Sequence, residues 1–159
     1  MAGVAVATTV ATQAFSAPAE QVRNFVDFVV ALDQAQPVDR ATLESHIGRT
    51  LECKQYPNVE RTDCDARDID FFGVKVGYVD FRSTRLGTLL ILDRLSGDCV
   101  PVDQLDKRFG EGYFDSSCTD GVVCIYKYYK RNWGKLSAGL GGDRSAPCAK
   151  LLVMNTISR

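Results

Sequence analysis

The sequence is short of the residues that most active-site chemistry needs. It has a single histidine, His46, and none of its six cysteines forms a C-x-x-C pair. The common zinc spacings are therefore missing. No G-x-S-x-G elbow occurs, and Gly139-Leu140-Gly141-Gly142 lacks the lysine and Ser/Thr of a phosphate-binding loop. His46 would be the sole imidazole base, with cysteines that read as paired, so nucleophilic catalysis finds little support. The acidic run Asp63-Cys64-Asp65-Ala66-Arg67-Asp68-Ile69-Asp70 lacks the glycine and distal glutamate of an EF-hand loop and reads as a solvated loop. No spacing singles out a carboxylate pair for glycoside chemistry. Neither a metal nor a cofactor is expected. No uninterrupted apolar run is long enough to cross a bilayer as a helix. A formal net charge of −1 provides no global basic field to draw in nucleic acid or anionic lipid.

What is present fits one folded domain. The 159 residues are 45% hydrophobic and 25% charged, enough apolar material for a core. Cys53, Cys64, Cys99, Cys118, Cys124 and Cys148 are scattered and even in number, which points to disulfides and an oxidising compartment. The alternative is six buried thiols acting as small hydrophobes. Residues 1–19 carry no charge, and Ala17-Pro18-Ala19 before Glu20 is an A-x-A cleavage pattern. The segment reads as a signal peptide without a basic n-region or as a disordered tail, and Pro18 would also suit the first turn of a helix. The expected product is a periplasmic or secreted domain over residues 20–159.

Periodicity supplies the elements. Val22, Phe25, Val26, Val29 and Leu32 make one apolar face of a helix over 20–33. Asp39 can cap a second helix over 39–47, with Val38 and Leu43 as a hydrophobic staple and Gly48 as its end. A third helix is expected over 103–109, closed by Gly110. Strand signals cover Phe72–Val79, Leu86–Leu92, Val122–Tyr129 and roughly 150–157, while 49–68 reads as an irregular polar loop. These segments predict an α+β fold, an antiparallel sheet of four or five strands with helices packed mainly on one face.

Pro37-Val38-Asp39 and Pro101-Val102-Asp103 each open a short helix that ends on an apolar-Gly pair, Ile47-Gly48 or Phe109-Gly110. Each is followed by a polar loop with two cysteines and then strand-like segments. Either a tandem helix–loop–strand–strand repeat or a chance tripeptide with ordinary caps accounts for this. A repeat would pair Cys53 with Cys64 and Cys118 with Cys124, leaving Cys99 for Cys148.

One stretch concentrates recognition chemistry: Tyr126-Lys127-Tyr128-Tyr129-Lys130-Arg131-Asn132-Trp133. On a strand, Tyr126 and Tyr128 face one side while Lys127 and Tyr129 face the other. Large rings beside cations suit a protein contact, with Tyr126, Tyr128, Tyr129, Arg131 and Trp133 as candidate residues. The alternative is a sheet with an aromatic core face and solvated lysines opposite.

The segments Thr42-Leu43-Glu44-Ser45-His46-Ile47-Gly48 and Gln104-Leu105-Asp106-Lys107-Arg108-Phe109-Gly110, each followed by strands, resemble the small envelope proteins of the SmpA/OmlA type. They also look like the tandem-repeat β-lactamase inhibitor proteins. The chain departs from the former in having no lipid-anchor cysteine before Cys53 and from the latter in cysteine placement. The resemblance implies helices on one sheet face and a partner protein on the other, and assigns no binding residue. The leading expectation is an exported protein-binding module of inhibitor or immunity type. A small envelope hydrolase or ligand-binding protein, with a site assembled from dispersed residues, is the alternative.

Overall fold

The computed structural model describes residues 17–116 and 124–157. The leader expectation for residues 1–19 therefore falls largely outside the described residues, as does the Cys118 half of the expected Cys118–Cys124 bridge. Chain order runs α1 (Ala17–Gln34), α2 (Arg40–Ile47), β1 (Glu52–Tyr56), a 3-10 turn (Pro57–Val59), β2 (Arg61–Phe71), β3 (Val74–Thr84) and β4 (Gly87–Gly97). Then follow α3 (Val102–Phe109), β5 (Tyr113–Ser116), β6 (Ile125–Arg131), β7 (Gly134–Gly139) and β8 (Leu151–Asn155).

The helices form where the sequence places them. The Asp39 carboxylate accepts the Thr42 N–H at the start of α2, and Gly48 takes the left-handed conformation that ends it. Phe25, Val26, Val29 and Leu32 of α1 are buried, as are Leu43 and Ile47 of α2 and Leu105 and Phe109 of α3.

The sheet is larger than expected. It has eight antiparallel strands in the order β1-β2-β3-β4-β8-β7-β6-β5, where four or five were expected. The supposed polar loop over 49–68 is mostly β1 and β2. Arg61, Asp63, Asp65 and Arg67 alternate with Thr62, Cys64 and Ala66, a period-two pattern whose outward side happens to be charged. Charge disguised the strand as a loop. β5 and β7 were missed because they are short and rich in small or polar residues.

The architecture falls into two successive units, α2 with β1–β4 and α3 with β5–β8, joined edge to edge where β4 pairs β8. Residues of all three helices share one core with a single sheet face. Its central row crosses six strands, Cys64–Phe81–Leu90–Met154–Leu136–Tyr129, and every member is buried.

Disulfides join Cys53 to Cys64 and Cys99 to Cys148. The first links facing residues of β1 and β2, so it fastens an edge strand to its neighbour. The second closes 49 residues of chain, a constraint on the unfolded state of about 3–4 kcal/mol. Such bridges point to an oxidising, extracytoplasmic compartment. Among the described residues no helix is long and apolar enough to cross a membrane.

One irregularity shapes the first unit. Buried apolar positions run 64, 66 then 69, 71 in β2, 74, 76 then 79, 81 in β3, and 90, 92 then 95 in β4. Each strand thus spends one extra residue at the same level: Asp68, Gly77 and Arg94. Asp68 and Arg94 have φ of 52° and 55°, left-handed values that cost a non-glycine residue roughly 1–2 kcal/mol. Because all three strands shift together, pairing resumes in register, Ile69 with Val76 and Val76 with Leu95. The apolar residues beyond the shift stay turned toward α1, where Phe71 packs on Phe25 and Phe28.

Candidate functional site

The helices cover one face of the sheet and leave the other open. A continuous cross-strand row marks this second face: Glu52–Asp65–Asp80–Ile91–Val153–Ser137–Tyr128–Tyr113. Its chemistry changes along the row, from charged through apolar to aromatic.

The charged part lies on β1–β3. Arg61 holds Asp63 through two guanidinium nitrogens, and this pairing keeps the Asp63 carboxyl below the usual carboxylate range. Arg82 grips Asp80 in the same two-pronged way, with an Nη2–Oδ2 distance of 2.6 Å. The Tyr78 hydroxyl donates to Asp65 at 3.1 Å, and burial together with that bond raises the phenol above its ordinary value. Asp63, Asp65, Tyr78, Asp80 and Arg82 line a shallow depression of about 410 Å³ with Glu52, Lys54 and Tyr56.

Tyr78 is flanked by two cations, with the Arg67 and Arg94 guanidinium carbons 5.6 and 5.8 Å from its ring centre. The three-strand shift makes this possible, because it sets Arg67 and Arg94 beside Tyr78 on neighbouring strands. Glycine at 77 relieves crowding in the same arrangement. A Cβ there would stand 3.1 Å from the Arg94 Cβ and 3.3 Å from its Nε.

The apolar strip follows at the seam between the two units, Leu89 and Ile91 on β4 with Leu151 and Val153 on β8, all half-buried. None of the three described helices lies over it. Beyond it, Tyr126 stacks on Tyr128 at 5.9 Å, Tyr113 reaches Tyr128 at 5.5 Å, and the Lys135 ammonium sits 4.2 Å from the Tyr128 ring centre. Gly139 has no side chain because Leu151 and Tyr126 close over it, with a built Cβ falling 2.8 and 3.3 Å from their carbons. Burial raises the Tyr126 phenol pKa.

The five residues singled out from the sequence do not share one surface. Tyr126 and Tyr128 are on the open face, Tyr126 half-buried and Tyr128 buried beneath its neighbours. Tyr129 is buried on the helix side, where its hydroxyl donates to Asp106 of α3 at 3.0 Å and burial pushes its phenol pKa upward. Lys127 joins the same carboxylate at 2.6 Å. Arg131 and Trp133 converge on the buried Asp33 of α1, with Arg131 nitrogens at 2.7 and 2.6 Å and the indole Nε1 at 3.0 Å. These three residues clamp helices to the sheet. Lys127, read as a solvated lysine in one view of the stretch, is enclosed.

Sequence reading missed Tyr113, Tyr78, Arg67 and Arg94. The alternation of Arg61, Asp63, Asp65 and Arg67 was the available signal for β2. Nothing local announced that β2–β4 would shift face together.

His46 is exposed on α2, with its Nδ1 at 2.8 Å from the Thr42 carbonyl oxygen. Among the described residues, no group of three His, Cys, Asp or Glu side chains could hold a metal ion. Comparison of the chain with protein-family models, with curated proteins and with solved structures finds no match.

Proposed function

We propose that this chain is an exported, periplasmic or secreted protein-binding module of inhibitor or immunity type, which grips a folded partner protein with the open face of its sheet. One observation carries the reading: the Leu89, Ile91, Leu151 and Val153 strip lies uncovered at the centre of that face, flanked by tyrosines on one side and two-pronged Arg–Asp pairs on the other. An apolar centre with a polar rim rich in tyrosine and arginine is the ordinary anatomy of a protein interface. The rim is also partly preorganised, since Arg61 and Asp63 hold each other, as do Arg82 and Asp80, which reduces the ordering cost of association.

The likeness to tandem-repeat inhibitor proteins belongs to this proposal, and the succession of two helix-plus-four-strand units supports it. The envelope-hydrolase or ligand-binder reading would draw on the 410 Å³ depression. Its inner carboxylates, however, are tied to Arg61, Arg82 and Tyr78, and His46 stands on α2.

The test uses the disulfide-bonded chain as bait in an extracytoplasmic extract, alongside Tyr113→Ala/Tyr126→Ala and Leu89→Asp/Val153→Asp variants. Capture of a partner that is lost in both variants, with unchanged far-UV circular dichroism, is the expected result. Undiminished capture by both overturns the proposal.

A further inference from the structure

Ion pairing on the open face is lopsided. Its inner carboxylates are answered from within the face: Asp63 by Arg61, Asp80 by Arg82, Asp65 by the Tyr78 hydroxyl, and Asp93 by the Arg94 backbone N–H. Several cations are not. Among the described residues Arg67, Lys130 and Lys135 make no ion pair, and Arg94 reaches Asp93 only at 4.0 Å.

Lys130 and Lys135 stand directly opposite each other across β6 and β7. Like charges in that relation destabilise a sheet, and among the described residues no carboxylate forms an ion pair with either. The acidic row Glu52–Asp65–Asp80 is the comparable case with the other sign, and two of its three members are answered. Of the strand carboxylates without an ion pair, Asp65 is held by the Tyr78 hydroxyl and Asp70 by the Gly73 N–H at 2.9 Å, which leaves Glu52 and Asp115 on the two edge strands and Asp68 at the level of the shift. Unanswered positive charge thus remains within the face, while most of the unanswered negative charge lies at its margins.

The cations are also seated. Arg67 and Arg94 lie against Tyr78, and Lys135 against Tyr128. A ring face fixes a cation without consuming its N–H donors; Arg94 gives one Nη2–H to the Gly77 carbonyl at 3.2 Å, and the remaining donors are available to an incoming carboxylate. We infer that the open face takes an acidic segment of its partner protein, with carboxylates received by Arg67 and Arg94 beside Tyr78 and by Lys130 and Lys135 beside Tyr128. The inference rests on the reading of this face as a protein-binding surface.

Two measurements test it. The isotopically labelled full chain is titrated with a capped alternating Glu-Ala peptide and, separately, its Lys-Ala counterpart. Shifts at Arg67, Tyr78, Tyr128 and Lys135 with the acidic peptide alone, diminished at high salt, are expected. Arg67→Gln/Lys135→Gln should bind it about fivefold or more weakly, while the control Lys107→Gln/Arg108→Gln, on α3, should match the parent. Shifts with the basic peptide only, or an unchanged affinity in Arg67→Gln/Lys135→Gln, overturn the inference.

Partner capture then separates this idea from the one beneath it. Capture that depends on Tyr113, Tyr126, Leu89 and Val153 but not on Arg67 or Lys135 leaves the binding face standing and removes the acidic segment. Capture that depends on none of them removes both.

Discussion

The two faces of this sheet are built from the same strands, one residue out of step, and they solve different problems. On the helix side the row Cys64–Phe81–Leu90–Met154–Leu136–Tyr129 is closed off from water. Even its polar members are consumed locally, Lys127 and Tyr129 by Asp106 and Arg131 by Asp33. On the open side the neighbouring row buries Asp80, Ser137 and Tyr128 but keeps Ile91 and Val153 half in water, and the same face carries Arg67, Lys130 and Lys135 without an ion pair among the described residues. The first face is spent on stability. The second retains unspent contacts, as expected of a surface meant to meet something else.

Leu89 and Leu90 give the sharpest way to break that contrast, because they are adjacent in sequence and face opposite ways. Leu90→Ala should lose about 2–5 kcal/mol in urea unfolding. Leu89→Ala should lose under about 1 kcal/mol yet weaken partner capture. Equal losses would mean that the faces do not differ in kind. Next in size is Asp106→Ala, which strands the enclosed Lys127 ammonium and the Tyr129 hydroxyl. A loss of about 1–3 kcal/mol is expected, with Lys127→Met/Asp106→Leu recovering part of it.

The Arg61–Asp63 pair sharpens the comparison through pH. The folded carboxyl has a lowered pKa. Its stabilising contribution is therefore complete above the ordinary carboxylate value, about 3.9, and disappears as pH falls through the folded value. Urea unfolding of the parent and Asp63→Asn should differ at neutral pH and converge in acid. A gap that widens in acid would contradict the assignment. The smallest effect belongs to Lys135→Glu, which removes the like-charge pair with Lys130. It should stabilise the fold by a few tenths of a kcal/mol while weakening the response to an acidic peptide.

How much of this was legible depended on which face a residue serves. The helices, the Asp39 cap and the strands beginning near Phe72 and Leu86 were readable because burial imposes a period on apolar residues. The opposite sides of Tyr126/Tyr128 and Lys127/Tyr129 followed from the same alternation. β1 and β2 were illegible because their outward side is charged and their inward side includes small residues such as Cys64 and Ala66, which give a weak hydrophobic signal. Arg131 and Trp133 were taken for contact residues because an aromatic beside a cation looks the same in sequence whether it meets a partner or a buried Asp33 98 and 100 positions away. Arg67, Tyr78 and Arg94 assemble only through pairing across three strands, so no local window contains them.

The most direct measurement is site-specific photo-crosslinking in an extracytoplasmic extract, with a photo-reactive phenylalanine analogue replacing Tyr126 or Leu89 on the open face, or Ser45 or Lys107 on the outer sides of α2 and α3. The account predicts one discrete adduct from positions 126 and 89 and none from 45 and 107. Adducts from the helix positions alone would contradict it.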